Sequence, residues 1–327
     1  MAVYTHLGAE DLAELISTYD VGELVSAKGI AEGVSNSNWL VETTGIDGTG
    51  ARFILTMYER RIDTAELPFF LGLLDHLSAR GCPVPRTIHD RSGAAWRTLD
   101  GKAVALIEFL PGVSVDRPTP KQARSVGAAL AGMHQATLDF PQVRANDLGI
   151  DASLDTLSAC GPEALAGIDS GLPAMIGEAE RISARWPKDL PTAICHTDLF
   201  PDNVLMRGSR VSAMIDFYFA CSDAMAYDLA VTHAAWSFGQ DTGDFDPAVG
   251  QALLAGYESV RPLEPQERAS LPVLAEGACL RFIASRAEDW IGTPVDALVN
   301  RKDPMEFVRR LEFYADAGDS PFKSTAT

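Results

Sequence analysis

Basic residues are scarce in this chain of 327 residues: 27 Lys and Arg stand against 45 Asp and Glu, a net charge of −18. A surface of that sign repels nucleic-acid phosphates and anionic membranes, so no nucleic-acid and no membrane partner is expected. An anionic ligand such as a nucleotide then needs metal ions and locally placed donors. Cysteine is scarce as well. Cys82, Cys160, Cys195, Cys221 and Cys279 are scattered, odd in number and free of any CxxC spacing. That argues against a disulfide framework or a structural zinc and fits a reducing cytoplasm. Apolar runs such as 103–107 fall far short of the about 20 residues that a membrane span needs. The opening MAVYTHLGAEDL has no basic stretch leading into an apolar one, so no secretory signal is expected. Internal repeats and low-complexity segments are missing too.

What is present is an ordinary globular composition, 46% hydrophobic and 22% charged. The length exceeds what one compact core usually holds, so two domains are expected. The first part reads as strand-rich. A short helix over 5–18 precedes strands at 22–30, 36–44 and 51–58, the last with Phe53, Leu55 and Met57 alternating against Ile54, Thr56 and Tyr58. The apolar spacing of Leu67, Phe70, Leu71, Leu74 and Leu77 predicts an amphipathic helix over 66–80, ended by Gly81. Pro83 and Pro85 keep the next stretch extended, and a hairpin at 96–99 and 103–109 turns on Asp100-Gly101. After Pro111-Gly112 helical patterns dominate. They fall at 122–137, 173–186, 227–236, 247–257, 265–271, 273–291 and 304–315, with a loop-heavy stretch over 141–170 and a short strand pair at 204–206 and 211–215. The expectation is an α+β, two-lobed plan with a cleft between lobes: residues 1–107, a hinge at 108–112, and a helical part over 113–327.

The chemistry concentrates in Cys195-His196-Thr197-Asp198-Leu199-Phe200-Pro201-Asp202-Asn203-Val204-Leu205, followed by Ile215-Asp216-Phe217. Phosphoryl transfer needs a carboxylate to orient the attacking hydroxyl and accept its proton, together with oxygen ligands that hold Mg²⁺ against nucleotide phosphates. H-x-D-x-x-x-x-N supplies a carboxylate in Asp198 and an amide ligand in Asn203. A strand pair then returns a second carboxylate, Asp216. A lone HxD could be no more than a buried hydrogen-bonded turn, but the full spacing with an apolar strand ending at Asp216 is the arrangement of a kinase catalytic loop.

HTDLFPDNVL and IDF, with IEFLPG near 107–112, resemble the aminoglycoside-phosphotransferase and choline-kinase group of protein-kinase-like enzymes. Within it the match is to bacterial homoserine kinases of the kinase-like type, through GVSNSNWLVET, FILTMYERR, ELPFFLGLLDHLSARGCPVP, HTDLFPDNVLM, IDFYFACSD, AYDLAV and LRFIASRAEDW. The resemblance implies a protein-kinase-like fold, ATP and Mg²⁺ as cofactors, and phosphorylation of the hydroxyl of L-homoserine to O-phospho-L-homoserine on the way to threonine. A kinase of another small amino alcohol or aminoglycoside, or a catalytically dead binding protein, is the alternative.

It also implies roles. Asp198 is the catalytic base, and Asn203 and Asp216 are the magnesium ligands. Residues 29–38 form the loop over the phosphates, with Gly33 and backbone N–H groups near Ser35 and Ser37 facing them; a polar hairpin turn explains the same residues. Glu108, Phe109 and Leu110 form the hinge against adenine, or else a buried edge strand. Asp228 braces the catalytic loop or caps its helix. The third strand departs from the kinase pattern, with Thr56 where a phosphate-binding lysine is usual, and a hydroxyl cannot neutralise charge. Arg60 or Arg61 can compensate, or stand as surface charges. The carboxylate of homoserine calls for an arginine. Arg281 and Arg286 flank the apolar stripe of the late helix, although Arg281 can instead pair with Glu288, and Asp202 is a candidate for the ammonium.

Overall fold

The computed structural model describes residues 7–30, 36–59, 63–239, 242–293 and 301–323. The chain forms two compact units, one of Met1–Gly112 with Ser212–Tyr218 and one of Val113–Val211 with Phe219–Thr327. In the first, helix α1 (Ala9–Ser17) precedes strands β1 (Leu24–Ile30), β2 (Asn36–Thr43) and β3 (Ala51–Tyr58). Helix α2 (Leu67–Ala79) follows, then β4 (Thr87–Ile88), β5 (Arg97–Leu99) and β6 (Lys102–Glu108). The sheet runs β1-β2-β3-β6-β4, with β5 also on β6, and every pairing is antiparallel. One sheet face buries Trp39, Val41, Leu55, Met57, Val104 and Leu106 against Leu12, Leu15, Ile16 and Tyr19. The two-residue period that puts Leu55 and Met57 there puts Thr56 and Tyr58 on the opposite face. Register then sets Thr56 opposite Asn38 and Ala105.

The second unit starts with α3 (Pro120–Ala136), whose Thr119 and Gln122 form a capping box. Helices α4 (Ile150–Cys160) and α5 (Pro162–Ile168) come next. They correct the loop-heavy reading of 141–170: Ile150 and Leu157 are helix-spaced and buried, and Gly161, at φ 77°, breaks the path between the two. After α6 (Ala174–Ser183), β7 (Thr192–Cys195) leads into the His196–Asn203 segment. Then β8 (Val204–Arg207), β9 (Arg210–Met214, counted with the first unit from Ser212 on) and β10 (Cys221–Ala224) follow. β10 pairs antiparallel with β7, so it flanks the segment that β7 delivers.

The remaining helices are α7 (Met225–Trp236), α8 (Pro247–Glu258), α9 (Pro265–Gly292) and α10 (Met305–Ala317). Helix α7 is buried all round, as expected of a central helix. Helix α9 is another correction. The break expected at Pro272 does not occur, and one helix of 28 residues runs through it. An interior proline costs a hydrogen bond and a steric clash, but burial along the helix from Glu267 to Ala287 outweighs that local penalty. Helices α3 and α8 touch backbone to backbone: a Cβ on Gly256 would lie 2.0 Å from the Arg124 carbonyl oxygen. Among the described residues no helix is long and apolar enough to cross a membrane.

Candidate active site

In the second unit β7 ends at Cys195 and the chain turns sharply. Thr197 takes φ 59°, the left-handed region, a strained state for a β-branched residue. It persists because its polar groups are all held. The Thr197 N–H donates to Asp228 Oδ1 at 2.7 Å, its hydroxyl donates to the Phe219 carbonyl at 3.0 Å, and its carbonyl accepts from Arg281 Nη1. Asp228, completely buried on the first turn of α7, also accepts from the His196 N–H at 2.6 Å and from His134 Nε2 at 2.9 Å. Burial alone would raise its carboxyl pKa, yet the His134 and His196 interactions hold it below the usual value. Asp228 thus braces the loop, and the cap position of α7 belongs to Ala224.

The brace extends inward. His134 Nδ1 meets the Tyr257 hydroxyl at 2.8 Å, that hydroxyl accepts from Arg261 Nη1, and Arg261 Nη2 donates to both Glu267 carboxylate oxygens at 2.9 and 3.0 Å. Cys195, His134 and Asp228 present ligand atoms within 4.8 Å of one another. They do not suit a metal: both Asp228 oxygens already accept N–H groups, and burial pushes the Cys195 thiol well above its usual pKa, away from the thiolate a metal needs.

Asp198 projects from this braced turn, its side chain about one-fifth exposed. Asn203 Nδ2 donates to the Asp198 carbonyl at 2.8 Å and to Asp198 Oδ2 at 3.2 Å. With its N–H₂ so engaged, Asn203 has its amide oxygen left to offer a cation. Asp202 is exposed on the short turn between them. The two candidate arginines of α9, Arg281 and Arg286, are both engaged. Arg281 is buried, with Nη2 3.8 Å from Asp198 Oδ1. Arg286 donates to Glu306 at 2.7 Å and to the Asp303 carbonyl at 2.9 Å, its guanidinium over the Phe307 ring.

In the first unit Thr56 is buried and donates to Asn38 Oδ1 at 2.8 Å. Tyr58 accepts from the Tyr218 hydroxyl at 3.2 Å, and Phe70 of α2 packs edge-on against Tyr218. Burial pushes the Tyr58 phenol up to about 12, so it is neutral. Asp216 sits exposed just after β9 with φ 65°, again left-handed. Ser37 turns its hydroxyl to Glu59 Oε1 at 2.7 Å on the other sheet face, where Lys102 also meets Glu59. A nucleotide role for Ser37 is therefore left to its backbone. Glu108 ends β6 with its carboxylate near Arg86, Phe109 lies under the Arg52 guanidinium, and Leu110 is half-buried. Gly33, Ser35, Arg60 and Arg61 lie outside the described residues.

The structure therefore brings Asp198, Asn203 and Arg281 together, and separately Thr56 and Asn38. It leaves Arg286 and Asp202 out of both groups. Sequence reasoning missed His134 and the Tyr58–Tyr218 pair. Only a histidine on the apolar stripe of α3 hinted at the former.

Residues 26–263 match the model of the family described as "Phosphotransferase enzyme family". The homoserine kinase of Methylobacterium radiotolerans is 48% identical over 321 residues, 98% of this chain and 98% of that protein. The homoserine kinase of Gluconacetobacter diazotrophicus is 48% identical over 322 residues, 97% of this chain and 98% of its own. Among solved structures, spectinomycin phosphotransferase in complex with ADP and spectinomycin aligns with a TM-score of 0.73 at 14% identity, over 97% of this chain and 100% of that one. That likeness establishes a shared protein-kinase-like fold.

Proposed function

The chain belongs to the phosphotransferase enzyme family, and from that premise we propose that it transfers the γ-phosphoryl group of ATP to the hydroxyl of L-homoserine, giving ADP and O-phospho-L-homoserine. The similarity to homoserine kinases over nearly the whole of both chains supports the acceptor. The observation that carries the chemistry is Asp198, a carboxylate presented from a turn whose backbone is braced by buried Asp228.

In this reading Asp198 holds the acceptor hydroxyl in line with the γ-phosphorus. The hydroxyl oxygen forms the new P–O bond as the bond to the ADP oxygen breaks, and its proton passes to Asp198. The fixed loop supplies orientation, the larger part of what a protein contributes to such a loose transition state. Asn203 and Asp216 offer an amide oxygen and a carboxylate, hard donors that suit Mg²⁺. Charge neutralisation at the nucleotide phosphates is the chemistry the ion supplies when bound. Thr56 and Asn38 face the nucleotide as neutral groups. They can hydrogen-bond phosphate oxygens but add no charge. Residues 108–110 meet adenine through their backbone.

The test is a specificity panel: kcat/KM for homoserine, serine, choline and an aminoglycoside. Homoserine should lead by at least about tenfold, since a site built for its polar groups penalises acceptors that leave them unpaired. A lead for choline or the aminoglycoside would replace the acceptor and keep the kinase.

A further inference from the structure

Helix α9 carries Arg281 into the interior of the second unit, where its side chain is 3% exposed. A guanidinium taken out of water must find acceptors and an anion. Its Nη1 donates to the Thr197 carbonyl, and its Nη2 lies 3.8 Å from Asp198 Oδ1. The plane of the group is set by aromatic neighbours, with Cζ 4.6 Å from the Phe282 ring centre and 5.3 Å from that of Phe219. Glu288, the partner suggested by helical spacing, is exposed.

Thr197 needs the restraint most, because a β-branched residue stays left-handed only where its surroundings over-determine it. Asp228 grips the N–H side of this residue and Arg281 its carbonyl. The peptide between them leads directly into Asp198. The two carboxylate oxygens of Asp198 also face different elements, Oδ2 toward Asn203 and Oδ1 toward Arg281. A single side chain on α9 thus contacts both the strained residue and the carboxylate that follows it.

We propose that Arg281 is a positioning residue that fixes the Thr197–Asp198 turn and sets the direction of the Asp198 carboxylate, and that it does not read the carboxylate of the acceptor. The proposal rests on the reading of Asp198 as the base. It separates two roles that sequence alone leaves merged, since an arginine beside an acceptor site is equally suited to either.

A double-mutant cycle tests it, with kcat and both KM values measured for Arg281→Gln, Arg281→Lys, Asp198→Asn and the pair Arg281→Gln with Asp198→Asn. Arg281→Gln should lower kcat about 100-fold, the scale of a small misplacement of a reacting group, with KM for homoserine changed less than about threefold. Arg281→Lys, which keeps the charge without the fork, should recover about tenfold of that loss. In the Asp198→Asn background Arg281→Gln should cost less than about threefold, because no base remains to be positioned. A raised KM for homoserine at unchanged kcat overturns the proposal, as does the full loss repeated in the Asp198→Asn background. Should Arg281→Gln fail to fold, Arg281→Lys decides by the same kcat-against-KM split and the same double background. Should Asp198→Asn keep its kcat, the reading of Asp198 falls and the proposal with it. Failure of the proposal alone leaves Asp198→Asn inactive.

Discussion

Around Asp198 the polar groups are charged, buried and tightly bound: Asp228 accepts from two backbone N–H groups and from His134, and Arg281 packs between aromatic rings. Around Thr56, in the other unit, the hydrogen-bonded groups are neutral. A hydroxyl meets an amide, and one phenol meets another. The difference suits the roles proposed for each. A proton acceptor needs one fixed geometry, and charge-assisted hydrogen bonds in a buried setting fix it strongly. A face that admits and releases a nucleotide many times needs weaker, interchangeable contacts. Substitutions in the second unit should therefore act on turnover or on folding as a whole, and those on the Thr56 face should act mildly and on nucleotide use.

The largest effect should come from Asp198→Asn, a loss in kcat of about 10²–10⁴ with nucleotide affinity near normal, the range for a positioned general base. Steady-state kinetics with calorimetric titration of nucleotide checks both halves. Next is Asp228→Asn, which leaves a backbone N–H facing an amide N–H₂ in a fully buried place. Breaking a buried pair of this kind costs about 3–5 kcal/mol, read from urea unfolding at neutral pH. The Asp228 carboxyl is depressed in the folded state. Its contribution is thus present above the unfolded value of about 3.9 and is lost as pH falls through the lower folded value. The gap between wild type and variant should close only in that acid range.

Thr56→Lys sharpens the contrast from the other side. A new cation must be desolvated against the neutral Asn38 and the aromatic pair, so kcat/KM for ATP should stay level or fall. A large rise would mean that the position is a lysine site with its lysine missing. The smallest effect is expected at His89, whose ring nitrogens face the Gly93 carbonyl at 3.0 Å and Asp75 at 2.6 Å. Those acceptors, the Gly93 carbonyl first, raise its pKa. Its stabilisation is full below about pH 6.5 and is lost as pH rises through the higher folded value. His89→Gln should cost at most about 1 kcal/mol at pH 6, as for other exposed pairs, and nothing measurable in alkali.

Much of this was legible in the residues. β2, β3 and α2 follow their apolar periods almost to the residue, because each sets one apolar face into a core. Spacing also singled out Asp198, Asn203 and Asp216 as candidates, and the structure joins the first two by hydrogen bonds, while the roles of all three are proposals. Other features were hidden for physical reasons. β7 and β10 are four residues each, too short to show alternation. Helix α9 continues past Pro272 only because tertiary burial outweighs a local penalty. The partners of Arg281 and His134 lie 84 and 94 residues away along the chain, and no local pattern reports a contact over such a distance.

The central claim is that this chain phosphorylates L-homoserine, and ³¹P NMR of the protein with ATP, Mg²⁺ and L-homoserine tests it most directly. The account predicts a phosphomonoester signal identical to O-phospho-L-homoserine, growing in step with ADP and absent when homoserine is withheld. No phosphomonoester, or ATP converted to ADP and inorganic phosphate with homoserine untouched, would contradict it.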